Sequence, residues 1–181
     1  MLMSTISLLI FISLKREYSW RIAFGIIFSS LGDFFLLSKL FDNYFIVGMG
    51  CFFIAMICYL TIFIHTELKT NFSYNRITYC ASILSLSLLL IITILSRESN
   101  HILQIGITIY FTLVTIVSMF AITHNNKFLI IGLLLFYISD ILIGINDWII
   151  KIPFYTYLNL LFYYSGQIFI VKSTSSELTN K

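Results

Sequence analysis

Asp33 and Asp140 are carboxylates set inside stretches that otherwise read as membrane spans, Ile22 to Leu37 and Phe128 to Gly144. A carboxyl group at membrane depth costs about 2.5–3.5 kcal/mol on insertion scales. A chain keeps one only where it has a partner, a water-filled cavity or a task. No Lys or Arg lies in the core of any apolar run, so neither aspartate has a cationic partner at its own depth. Two such carboxyl groups point to acid–base work. One keeps its proton and donates it, while the other stays ionised to accept a proton or to stabilise positive charge.

Helical spacing puts Gly25, Ser29, Gly32 and Asp33 on one face of the first stretch. It does the same for Gly132, Phe136, Ser139, Asp140 and Gly144 on the second. Small residues on such faces also let helix backbones approach closely, which is the packing reading of the glycines. Further polar groups at membrane depth are Tyr59 and, on the last apolar run, Tyr163, Tyr164 and Gln167, while Asn146 follows Asp140 by six residues. Gln167 requires a hydrogen-bond partner in so apolar a run, and an aspartate across a cavity would serve. Ser29, Tyr59, Asn146, Tyr163, Tyr164 and Gln167 are therefore candidate substrate-binding or supporting residues beside the two candidate catalytic aspartates.

Other chemistries have no residues to carry them. Cys51, Cys58 and Cys80 show no metal-ligand spacing, and His65, His101 and His124 fall near the ends of apolar runs. No metal and no cofactor is expected. A Gly-x-Ser-x-Gly elbow is absent, and no serine pairs with a histidine at membrane depth, which argues against a serine hydrolase. The basic residues are scattered and form no nucleic-acid patch.

The elements that must position the aspartates follow from composition. The 181 residues are 59% hydrophobic and 10% charged, whereas a soluble domain is about a quarter charged. Apolar runs fall at about 1–14, 19–38, 43–65, 74–96, 102–122, 127–147 and 154–172, and a span needs about 20 residues. The runs lack the alternation of barrel strands. The expected fold is all-α, a polytopic transmembrane bundle of about seven spans, six long plus a short first helix. One transmembrane domain would cover 1–172, with a polar carboxyl-terminal tail over 173–181. Pro153, the single proline, suits the first turn of the last helix.

Seven spans would place Lys15, Arg16, Arg21, Lys69, Arg76, Lys127, Lys172 and Lys181 on one side, and Lys39, Arg97 and Lys151 on the other. Eight of the eleven Lys and Arg residues thus share a side, which the positive-inside rule makes cytoplasmic. The carboxyl terminus is then inside, in the inner membrane if the cell is bacterial. Both aspartate helices run outward, and both carboxyl groups lie about 18–20 Å from the cytoplasmic end at 1.5 Å per residue. At a shared depth, and with their helices as neighbours, the two could face one cavity. Gly25 to Leu37 also resembles Gly132 to Gly144 at a constant offset of 107, the difference between 33 and 140, as an internal duplication would.

Together these residues make a pattern: Phe28-Ser-Ser-Leu-Gly-Asp33-Phe-Phe-Leu; Tyr44-Phe45, Gly48, Phe52 and Tyr59; Ser139-Asp140 with Ile145-Asn146; and Tyr163-Tyr164-Ser-Gly-Gln167. From about Ile22 to Lys172 the chain resembles the YhhN family of multi-pass membrane proteins, whose characterised animal members are lysoplasmalogenases. The resemblance implies hydrolysis of the vinyl ether bond of a lysoplasmalogen, a single-chain lysophospholipid, to a fatty aldehyde and a glycerophospho-amine. Asp33 and Asp140 match the family's two acidic positions. Ser29, Tyr59, Asn146, Tyr163, Tyr164 and Gln167 match other polar positions. Met56 stands where members commonly carry histidine, and members usually have a further helix before the first run here. Two other readings of the aspartates are a proton-coupled lipid or small-solute transporter and a non-catalytic protein in which they set helix packing.

The charge bias is directly testable. A reporter active only outside the cytoplasm should be silent when fused at Lys181, and activity there would invert the orientation.

Overall fold

The computed structural model describes residues 20–38, 44–64, 74–123 and 126–178. They form six helices: α1 (Trp20–Ser38), α2 (Tyr44–Ile64), α3 (Tyr74–Leu95), α4 (His101–Thr123), α5 (Lys127–Trp148) and α6 (Tyr155–Leu178). No strand occurs among the described residues. The helical form follows from apolar runs uninterrupted by proline, in which each backbone N–H and C=O finds its partner within the same segment. Side-chain hydroxyls on these runs mostly bond back to a preceding carbonyl, as Ser30 does to Ile26 at 2.9 Å and Thr112 to Thr108 at 2.7 Å. Side chains close two helix starts. Asn100 accepts from the N–H of Ile102, and Asn126 from those of Phe128 and Leu129.

The expected count of about seven spans is not what these residues show. Four helices are long and apolar enough to cross a membrane, over Tyr44–Thr61, Arg76–Leu95, His101–Thr123 and Lys127–Trp148. The short run at 1–14 lies outside the described residues. The other two helices are α1 and α6, of which α6 is the more polar. α1 holds Arg21 and Asp33, and α6 holds Asn159, Gln167, Tyr155, Tyr157, Tyr163 and Tyr164. α6 continues to Leu178, through part of the polar carboxyl-terminal stretch. One boundary differs. Pro153 lies in a turn before that helix, followed by Phe154 at φ 56°, a left-handed conformation strained for a non-glycine residue.

The exterior is apolar. Ile92 is 66% exposed, Leu89 63%, Ile105 62% and Leu161 61%. Exposed patches of that kind on a helical bundle suit hydrocarbon and not water.

Packing is dominated by two close hairpins, α1 with α2 and α5 with α6. α4 touches α2, α3 and α5, and α1 meets α6 only lightly. The two aspartate helices, α1 and α5, do not pack on each other, contrary to expectation. Aromatic rings occupy the space between the hairpins. Phe136 of α5 lies 5.1 Å from Tyr163 of α6 and 6.4 Å from both Phe52 and Tyr59 of α2, centroid to centroid.

The hairpins repeat one another. Gly25 packs beneath Tyr59, and Gly32 beneath Phe52. Adding 107 to each number gives Gly132 with Gly166 and Ser139 with Asn159. Gly132 and Gly166 are in backbone contact, and Ser139 Oγ donates to Asn159 Oδ1 at 2.8 Å. One offset thus carries the cross-helix register as well as the sequence likeness, as a duplicated hairpin would.

A Cβ on Gly132 would come 2.8 Å from the carbonyl oxygen of Gly166 and from the N of Ile170, backbone atoms that cannot rotate away. Gly50 has nothing within 4 Å. Gly132→Ala should therefore cost about 1–3 kcal/mol, while Gly50→Ala should be neutral or stabilising by up to about 1 kcal/mol. Thermal unfolding in detergent checks both; a Gly132→Ala melt equal to wild type would contradict the close crossing.

Candidate functional site

α1 presents Asp33 and α5 presents Asp140 to a single, partly open cavity of about 120 Å³. Its walls come from α1, α2, α4, α5 and α6 and are largely apolar, with Leu36, Met49, Phe52, Ile107, Phe111, Ile143 and Leu160 among them. The polar groups on it are few: the two aspartates, Tyr110, Ser139, Asn159 and Tyr163. An apolar wall with a few convergent polar groups is the usual make-up of a small-molecule site.

Leu36 is near the end of α1, Phe45 begins α2, Ile107 lies early in α4, Trp148 ends α5 and Leu160 lies early in α6. The cavity therefore occupies the half of the bundle next to the α1–α2, α3–α4 and α5–α6 connections. Trp148 and Phe45 meet edge to face there at 6.3 Å. The Trp148 indole N–H donates to Glu98 Oε2 at 3.1 Å, and Arg97 Nη1 donates to the carbonyls of Trp148 and Ile149 at 2.7 and 3.0 Å. The N–H of Asn100 and the Trp148 indole hold the Glu98 carboxyl below its ordinary range. The α3–α4 connection thus clamps the end of α5 and fixes the Trp148 ring on the cavity.

The aspartates have different surroundings. Asp140 is buried, and Oδ2 accepts a hydrogen bond from the Tyr110 hydroxyl at 3.1 Å. Asp33 is half-buried, with the Tyr163 hydroxyl beside its carboxylate. That hydroxyl accepts from Gln167 Nε2 at 2.8 Å, so Gln167 and Tyr163 form a chain leading to Asp33.

Of the residues singled out from sequence, Asp33, Asp140 and Tyr163 line the cavity. Gln167, Ser29 and Tyr59 are fully buried and lie off its lining. Tyr164 packs its ring on Tyr163 at 5.1 Å and is not on the wall. Asn146 is elsewhere: it donates to Asp147 Oδ1 at 2.8 Å and accepts from the N–H of Ile152 at 3.1 Å, pinning the α5–α6 connection. Met56 is buried in the core and does not line the cavity. Sequence reasoning missed Tyr110, Asn159 and Trp148. Asn159 had a visible signal, because Asn159, Tyr163 and Gln167 recur every fourth residue down one face of α6. Among the described residues no group of three metal-ligating side chains occurs.

Long apolar helices, an apolar exterior and a cavity holding two carboxyl groups define a helical membrane protein with an internal polar site. The chain belongs to the YhhN family, whose sequence model matches residues 1–174. No curated protein and no solved structure matches it significantly.

Proposed function

We propose that the protein is a lysoplasmalogenase-like membrane hydrolase that cleaves the vinyl ether bond of single-chain lysophospholipids by two-carboxylate acid–base chemistry. The observation that carries this reading is the meeting of Asp33 and Asp140 on one cavity whose remaining wall is largely apolar. Membership of the YhhN family agrees with it.

The chemistry matches the residue types. A vinyl ether is protonated at the carbon β to its oxygen, which leaves an oxocarbenium-like cation on the α carbon. Water captures the cation, and the hemiacetal collapses to an aldehyde and an alcohol. One carboxylic acid supplies the first proton; one carboxylate steadies the cation and takes a proton from water. Glycosidases divide the handling of a related cation between two carboxyl groups in the same manner, although they protonate oxygen. The apolar wall would receive the alkenyl chain near the reacting bond. In this reading all six described helices cross the membrane with the carboxyl terminus cytoplasmic, and the aspartates lie in the outer half.

The transporter reading needs a path to both faces. The packed rings of Phe52, Tyr59, Phe136 and Tyr163 fill the bundle centre, which favours a chamber that does not run through to the other face.

Purified protein in lipid nanodiscs should release aldehyde from lysoplasmenylethanolamine. Asp33→Asn and Asp140→Asn should each lower turnover by about 10²–10⁴-fold while the protein stays folded by size exclusion and thermal melt. Wild-type turnover in either variant would remove the carboxylate pair from the reaction.

A further inference from the structure

Among the described residues, four buried polar atoms lack a partner at good hydrogen-bonding geometry: Ser29 Oγ, Asp33 Oδ2, Tyr59 OH and Gln167 Oε1. They belong to one place. Ser29 lies one turn before Asp33 on the same face of α1. The Tyr59 hydroxyl sits beside that of Ser29, and the Tyr163 hydroxyl, which Gln167 holds at 2.8 Å, sits beside Asp33. Ser29, Tyr59 and Gln167 are each 0% exposed and absent from the cavity wall, so they form a polar recess behind Asp33, away from the mouth.

Leaving such a group unpaired costs about 1–3 kcal/mol, and native proteins keep few of them. Elsewhere among the described residues buried hydroxyls are paired. Ser30, next to Ser29, bonds back to Ile26. The buried cluster of Ser87, Thr115 and Tyr137 closes on itself, with Ser87 and Tyr137 oxygens 2.6 Å apart, Thr115 donating to Ser87 at 2.7 Å and Tyr137 reaching the Ile83 carbonyl at 3.1 Å. Four under-satisfied polar atoms gathered from three helices match what an internal water uses, since one needs two to four polar partners in a polar site.

We propose that this recess is a water-binding site that supplies water to Asp33. Asp33 is then the carboxylate that activates water, and Asp140, set among Ile107, Phe111 and Ile143 with Tyr110 as its donor, is the acid. The division of roles rests on the hydrolase reading. Asp140 gives its proton to the β carbon, and the π electron pair forms the new C–H bond. Water from the recess bonds to the α carbon as its proton passes to Asp33. The α carbon–oxygen bond to the glycerol then breaks with its electron pair on the glycerol oxygen. The proton of the hemiacetal hydroxyl ends on that oxygen, and the proton on Asp33 returns to Asp140 through solvent.

Ser29→Val fills the recess with methyl groups and leaves the cavity wall unchanged. In nanodiscs, infrared difference spectra between H₂¹⁶O and H₂¹⁸O should show bound-water O–H bands in the wild type that Ser29→Val abolishes. An unchanged band, or none in the wild type, overturns the site. Where Ser29→Val does not fold, Tyr59→Phe, which removes one hydroxyl, must weaken the same band. With lysoplasmenylethanolamine, Ser29→Val should lower kcat by about 10²-fold with KM nearly unchanged; an unaltered kcat overturns the delivery role. Formate should restore turnover to Asp33→Ala and not to Asp140→Ala, because at neutral pH it can replace a base but not an acid. The reverse pattern exchanges the roles and refutes the assignment. A wild type that releases no aldehyde refutes the hydrolase reading and the delivery role, while the water bands still decide the recess.

Discussion

A carboxyl group enclosed by an apolar bundle must be met by hydrogen-bond donors or by water, and much of this structure answers that requirement at Asp33 and Asp140. Tyr110 reaches Asp140 from α4. Tyr163 reaches Asp33 from α6 and is itself held by Gln167. No helix supplies both an aspartate and its tyrosine, so neither carboxyl group is accommodated until separate helices have packed. That makes the close hairpins a condition for the site. Gly25 and Gly32 admit the rings of Tyr59 and Phe52, and Gly132 and Gly166 bring α5 onto α6 backbone to backbone.

The repeated register explains how two similar aspartates acquired unlike settings. At the same offset that relates Asp33 to Asp140, Tyr59 corresponds to Gly166 and Phe52 to Asn159. The first hairpin places an aromatic ring against Gly25 and another against Gly32, and the second replaces those rings with a glycine and an amide. The bulk of Phe52 and Tyr59 fills the bundle centre, while the lighter second hairpin lets Ser139 bond to Asn159 on the cavity wall. An asymmetric pair of carboxyl groups is what acid–base division of labour requires.

Much of the site was legible because cost marks it out. Asp33, Asp140 and Gln167 stand in apolar runs where each demands an explanation, and all three fall in or beside one polar centre. Azimuth was not legible: a shared depth does not say which helices touch, and α1 and α5 are separated by side chains from α2 and α6. Tyr110 was hidden among eleven tyrosines, any of which could anchor at an interface. Asn146 lies off the cavity because six residues beyond Asp140 carry it to the end of α5, where its amide serves the next connection. The span count erred partly because Asn159 and Tyr163, which line the cavity, and Gln167, which bonds Tyr163, also lower the apolar character of α6.

The central claim is that the two carboxyl groups serve one reaction as a unit. The most direct measurement is aldehyde release by the double variant Asp33→Asn/Asp140→Asn beside the two single variants under the same conditions. Groups that act together lose most of their effect with the first removal. The account predicts a double variant within about threefold of the slower single one. Losses that multiply across the two positions would mean that Asp33 and Asp140 contribute independently, and would contradict it.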